Sequence, residues 1–430
     1  MELTIKHLSK RYGEKLALDD FSYSFREAIS AYYVKLNNIT ILKLIMKKYI
    51  IFPVIVLLVS CCLLFSGCGK ERIQNGTTEE PFFPNNHSEY VKNGSLLYFV
   101  EENIGLQSSI SYRLMVLDLE NGDCMPLCGK PECTHDVETC NAQISSGIVK
   151  LMLYQDRLYW IGGTEHNLLL SVALDGTDRK ELMQLDKELY REVWGFGSAA
   201  IYDDVLYLCG VGRSIRDSVP VDAVTVFRQR LGSEQGELIY HSTEFTEVFG
   251  RISEEQFWFA AHKESFQDEV ELCETRLFTY DINTGALWEL YRDKEPGVLY
   301  NYLLASNQTV YLGGYNKGIA YSMEDGHVKT FDMKNGLYHS IDIGDGYFLY
   351  WKNAHDYACH DSEGKLLFEG SFPPDTIEFL DDIPIRSYIG YSSGKMYYKM
   401  KDYGVDGSDD RSYIVEFDLK TQAVKALYSH

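Results

Sequence analysis

Positive charge is what this 430-residue chain lacks where it would count. Nine Lys and Arg against five Asp and Glu lie in residues 1–67, and residues 68–430 hold 32 against 58, a formal charge of −26. A surface of that sign repels phosphate backbones and anionic bilayer faces, so no nucleic acid partner is expected. Long helical patterns are missing after residue 70, apart from one turn near Asp186 to Glu192. His-Asp pairs occur at residues 135–136, 355–356 and 360–361, but no Gly-x-Ser-x-Gly elbow accompanies them, so a hydrolase triad is not supported. The acidic run from Asp402 to Asp410 begins like a calcium loop, yet Tyr413 stands where the twelfth-position acid belongs. It reads as a solvated hairpin.

What is present is a repeat. A turn followed by Leu-Tyr-aromatic, or a close variant, occurs seven times. The copies are Leu97-Tyr98-Phe99, Leu158-Tyr159-Trp160, Leu206-Tyr207-Leu208, Phe257-Trp258-Phe259, Val310-Tyr311-Leu312, Leu349-Tyr350-Trp351 and Met396-Tyr397-Tyr398. Their central aromatics are spaced by 61, 48, 51, 53, 39 and 47 residues. A second alternating strand follows each copy and often ends in Asp and a Gly turn, as at Asp118 to Gly122 and Asp281 to Gly285. Hairpins at that period mark a radial repeat fold, each unit one small antiparallel sheet. We therefore expect an all-β, seven-bladed β-propeller over residues 88–430, with six or eight blades left open by the uneven gaps. The last strand, near Val424 to Tyr428, would be an outer edge. Ring closure then comes from side-chain packing or from residues around 80–90 joining the last blade. Trp160, Trp194, Trp258, Trp288 and Trp351 read as blade core. Cys209, Cys273 and Cys359 read as small buried side chains.

Residues 46–67 have the order of a secretory signal: Lys47 and Lys48, then an unbroken apolar run, then small residues. The ending Leu64-Phe65-Ser66-Gly67-Cys68 resembles a bacterial lipobox, with Phe65 in place of the usual Leu. The resemblance implies a lipidated Cys68 as the first mature residue, a flexible tether over 68–87 and an extracytoplasmic domain held at the cell membrane. An uncleaved membrane helix is the alternative, and it leaves the same face outward. Residues 1–31 resemble the opening of an ABC-transporter ATPase domain, with Tyr12 at the adenine-stacking place. No Gly-rich loop and no Gly-Lys-Ser/Thr follows, so the phosphate cradle is missing and with it the activity. Residues 1–45 read as a non-functional remnant, with Met46 the working start.

The densest chemical feature is the run Cys124, Cys128, Cys133, His135 and Cys140. Cys128, Cys133, His135 and Cys140 supply the four soft donors a structural zinc ion takes. An exported domain also favours disulfides, and Cys124 makes four thiols for two bridges. Disulfides, a metal and free thiols all remain open on spacing alone. A catalytic site would need an open position and a general base, and neither is visible.

The repeated hairpin and the lipobox together resemble the propeller-like lipoproteins of Gram-positive anaerobes, relatives of TolB and YWTD-type propellers. The resemblance implies an envelope location and a non-enzymatic binding or scaffold role toward an unidentified protein or glycan; the ATPase-like opening adds an ABC transporter as an expected neighbour. It carries no catalytic residue. The rival expectation is a propeller enzyme acting on glycans or peptides through acidic residues at the central tunnel.

Overall fold

The computed structural model describes residues 3–12, 15–25 and 83–84 by their backbone. It then describes residues 89–429, except for short stretches of which the longest are 333–340, 373–384 and 403–410. The signal-like run, Cys68, most of the tether, the tip of the acidic hairpin and His355 lie outside the described residues. Among those described, no helix is long and apolar enough to cross a membrane. The chain divides into two units, Met1–Thr77 and Thr78–His430. In the first, Leu3–Tyr12 pairs antiparallel with Lys15–Phe25.

The second unit is a seven-bladed propeller, as the repeat predicts. Blade one is built from Tyr90–Asn93, Leu96–Ile104, Ile110–Asp118 and Cys124–Pro126, with the short strand Gln143–Ile144 also on its third strand. Blades two to six are four-stranded meanders starting at Leu151, Val193, Glu247, Tyr300 and Ile341. Blade seven runs from Ile385 to Ser429. One helical turn, Lys187–Tyr190, stands where the sequence shows its only helical pattern.

Local chemistry explains each hairpin. Strands one and two of blades two and three are joined by Gln155-Asp156 and Asp203-Asp204, and all four residues take positive φ between 46° and 59°. Two successive left-handed residues make the turn whose twist matches that of the flanking strands, and after glycine Asn and Asp tolerate it best. The Asp that ends the third strand caps the next turn. Asp281 Oδ1 accepts the amides of Asn283 (3.0 Å) and Thr284 (2.7 Å), and Asp418 Oδ1 those of Lys420 (2.9 Å) and Thr421 (2.8 Å). Gly285 then adopts φ 72°, which a side chain would resist.

The repeat signature encodes the packing between blades. Successive strand residues face opposite sides, so its first and third residues meet the preceding blade and its second the following one. Leu158 and Trp160 pack toward blade one, whereas Tyr159 and Ile161 pack toward blade three. Phe257 and Phe259 face blade three, and Trp258 faces blade five. Blade six departs from the expected reading by one residue. There Phe348 and Tyr350 face blade five while Leu349 and Trp351 face blade seven, so the matching triplet is Phe348-Leu349-Tyr350. The turn at Asp345-Gly346 fixes that register, and the extra aromatic Trp351 disguised it in the sequence.

Seven apolar clusters fill the seven interfaces of the ring. The seam between blade seven and blade one joins Ile389, Tyr397, Ile414 and Leu427 to Leu97, Phe99, Met115 and Leu117. Phe83–Pro84 also pairs with Gly390 and Tyr391 on the first strand of blade seven. Both closure routes open in the sequence are therefore used, and the segment before blade one adds at the first strand rather than at the last. Trp160, Trp258 and Trp351 are core as expected, but Trp288 is half exposed on the outer strand of blade four. Cys209, Cys273 and Cys359 are buried.

Candidate metal centre

The connector from blade one to blade two leaves the outer strand at Pro126 and carries the cysteine-histidine run. Its ligand atoms converge: the sulfurs of Cys128, Cys133 and Cys140 and a ring nitrogen of His135 all lie within 4.8 Å of one another. His135 Nδ1 is 3.5 Å from Cys140 Sγ. Cys140 is buried and the other three are half-buried. Cys124 is elsewhere. It sits on the outer strand of blade one, where burial first and then Glu101 push its thiol up to about 11 against an opposing hydrogen bond with Tyr428.

Tight turns produce the convergence. Glu132 and His135 take φ of 61° and 64°, the left-handed region that non-glycine residues enter at a cost of about 1–2 kcal/mol each. The Cys133 amide closes a turn on the Lys130 carbonyl (3.4 Å), and Lys130 Nζ donates to the Thr139 carbonyl. Burial raises the Cys128 thiol, but the amides of Lys130 and Asn141 and the Cys140 and Cys133 thiols outweigh it, so Cys128 lies below its ordinary range. Cys140 moves the other way, to about 11. Burial is the main cause, and Cys128 and Cys133 add to it against the Ala142 amide.

Blade two holds the connector in place, and this part was invisible in the sequence. The Gly129 amide donates to the Gly176 carbonyl (3.0 Å), and Asn141 Nδ2 donates to the same oxygen (2.7 Å). A Cβ on Gly176 would stand 2.6 Å from the Gly129 nitrogen and 2.7 Å from that of Cys128. Arg179 donates from Nη1 to the carbonyls of Cys140 (3.2 Å) and Gln143, and its guanidinium lies over Trp160 at 5.4 Å. Gly176 and Arg179 belong to a turn some 35 residues downstream, and only the ring brings it to the connector.

Two other places gather polar side chains. Asp342, on the first strand of blade six, accepts from Trp351 Nε1 (2.9 Å) and Tyr398 OH (3.1 Å), so this carboxylate is engaged in structure. A surface groove of about 860 Å³ runs between residues 182–188 and 232–236. Its Asp186 caps the amides of Glu188 (2.9 Å) and Gly236 (2.7 Å).

No protein-family model matches the sequence, and no curated protein matches it. Solved structures do. The acylaminoacyl peptidase of Pyrococcus horikoshii aligns with 80% of this chain and 52% of its own, at 13% identity and a TM-score of 0.49. This chain thus spans about half of that peptidase. The β-propeller domain of the Trilobed protease from Pyrococcus furiosus, described as having an open velcro topology, aligns over 82% of this chain and 97% of its own, at 12% identity and TM-score 0.46. BamB from Moraxella catarrhalis aligns over 74% and 92%, at 10% identity and TM-score 0.36. None of these likenesses carries more than a resemblance; the chain's own seven meandering sheets make it a seven-bladed β-propeller.

Proposed function

We propose that this protein is an extracytoplasmic propeller, tethered to the cell membrane through a lipidated Cys68, that serves as a non-enzymatic binding or scaffold module. One observation carries the non-enzymatic part. Among the described residues, the only tight group of three or more Cys, His, Asp and Glu donors is a four-ligand set folded into a connector. The membrane part rests on the order of basic, apolar and small residues ahead of Cys68 and on the acidic domain behind it. The partner is a protein or glycan outside the cytoplasm, next to an ABC transporter.

The test is metabolic labelling of the full chain in a bacterium fed an alkyne-tagged fatty acid. Label is expected for the wild type and for Cys61→Ala, a change at the cysteine that follows a Leu-Val-Ser run, and loss of label for Cys68→Ala, whose uncleaved apolar run still holds it at the membrane. Equal labelling of Cys68→Ala would overturn the tether. Crosslinking on intact cells followed by capture then identifies the partner.

A further inference from the structure

We infer that Cys128, Cys133, His135 and Cys140 form a closed zinc site that fixes the connector between blades one and two. The inference is independent of the membrane tether. It starts from the donor distances. A tetrahedral zinc ion with bonds of about 2.3 Å to sulfur and about 2.05 Å to nitrogen places its N and S ligands about 3.5 Å apart and its sulfurs about 3.8 Å apart. His135 Nδ1 and Cys140 Sγ stand at 3.5 Å, and the whole set fits inside 4.8 Å.

The fold also removes the pairing that made disulfides attractive. With Cys124 on the outer strand against Glu101 and Tyr428, three thiols and one imidazole remain together. A disulfide would use two of the thiols and strand the third beside His135. One metal ion uses all four donors.

Charge and hydrogen bonding agree. Three thiolates and a neutral imidazole around a divalent ion leave one net negative charge in a partly buried place. Two cations flank it: Arg179 is hydrogen-bonded to the carbonyl of Cys140, and Lys130 to that of Thr139. The left-handed Glu132 and His135 are local strain that ligation at the neighbouring residues offsets. Four protein donors leave no position for water or substrate, so the ion holds structure and performs no chemistry.

The experiment uses the full chain, produced with a purification tag free of histidine and analysed for metals by mass spectrometry. One zinc per chain is expected in the wild type and in Cys124→Ser, and less than a tenth of that in Cys133→Ser. Because Cys133→Ser can lose the metal by misfolding, cobalt is exchanged into the wild type as a second readout. The visible absorption of tetrahedral cobalt with thiolate charge-transfer bands supports the site, and an octahedral spectrum overturns it. Zinc-free wild type, a Cys128, Cys133 or Cys140 disulfide in the purified protein, or zinc loss in Cys124→Ser likewise overturns the assignment.

Discussion

Lys317 Nζ lies 2.8 Å from Asp293 Oδ2, and the two side chains are only 4% and 9% exposed. The pair bridges the outer strand of blade four and the third strand of blade five, and Tyr300 OH donates to the same carboxylate oxygen at 2.7 Å. Removing one partner strands a buried charge, which costs about 3–5 kcal/mol, whereas removing both leaves none. Lys317→Met alone is therefore expected to lower the denaturation midpoint sharply. The double change Lys317→Met with Asp293→Leu should recover most of that loss. Urea unfolding of the three proteins checks this, and a double variant no better than the single would contradict it.

Two glycines should respond in opposite degrees. A Cβ on Gly197 would stand 1.7 Å from the Val248 carbonyl oxygen, where the first strands of blades three and four nearly touch. There the Gly250 amide donates to Ser198 Oγ at 2.6 Å. Backbone must move, and Gly197→Ala is expected to lose at least about 3 kcal/mol or fail to accumulate as soluble protein. Gly346 meets nothing within 4 Å but holds φ 75°, so Gly346→Ala meets only left-handed strain of about 1–2 kcal/mol. Midpoint shifts of the two variants, measured side by side, give the ranking.

Lys150 predicts a pH dependence. Burial pulls its ammonium down to about 8, against the opposing pull of Glu89. A lysine whose folded pKa is depressed sheds its proton on folding, so its penalty is full below about 8 and fades as the pH rises toward the unfolded value near 10.5. Lys150→Met should therefore stabilise the protein at pH 7 by up to about 3 kcal/mol, with the gain shrinking between pH 8 and 10.5. Thermal melts of both proteins across that window test the sign. A constant difference would show that the ammonium is not the cause.

Acid should act through the turns. The Asp281 carboxylate is held below its usual range by the amide of Thr284 first, then by Gln256 and Asn283, and Asp418 similarly by Thr421 and Lys420. Carboxylates depressed in this way stabilise the fold above the unfolded pKa, and that stability disappears as the pH falls through the folded one. Asp418→Ala is expected to cost about 1 kcal/mol near pH 7 and progressively less as the pH falls through its lowered folded pKa. Amide exchange at Lys420 and Thr421 provides the local readout.

The blade count was legible in the sequence because every interface needs the same apolar triplet two residues past a tight turn, which makes the repeat visible without any contact. Register in blade six was not legible. Phe348, Leu349, Tyr350 and Trp351 are all large and apolar, so two phasings fit, and only the pairing of Gly344 with Tyr347 decides between them. The site divides along the same line. Its four donors lie within 13 residues and announce themselves, whereas Gly176, Arg179 and the exclusion of Cys124 depend on neighbours the ring supplies. Trp288 shows the limit of residue type as a guide to burial. Leu287 beside it is also exposed, because an outermost strand has no next strand to cover it.

The seam has a mechanical consequence. Six of the seven joints are crossed by the connection from one blade's last strand to the next blade's first, so they cannot part without pulling covalent bonds taut. The seventh is held by one apolar cluster, the Tyr428 to Glu101 hydrogen bond of 3.2 Å, and a clasp of two residues at Phe83–Pro84. An outward load on the ring is expected to part that joint first, like a split washer opening at its cut.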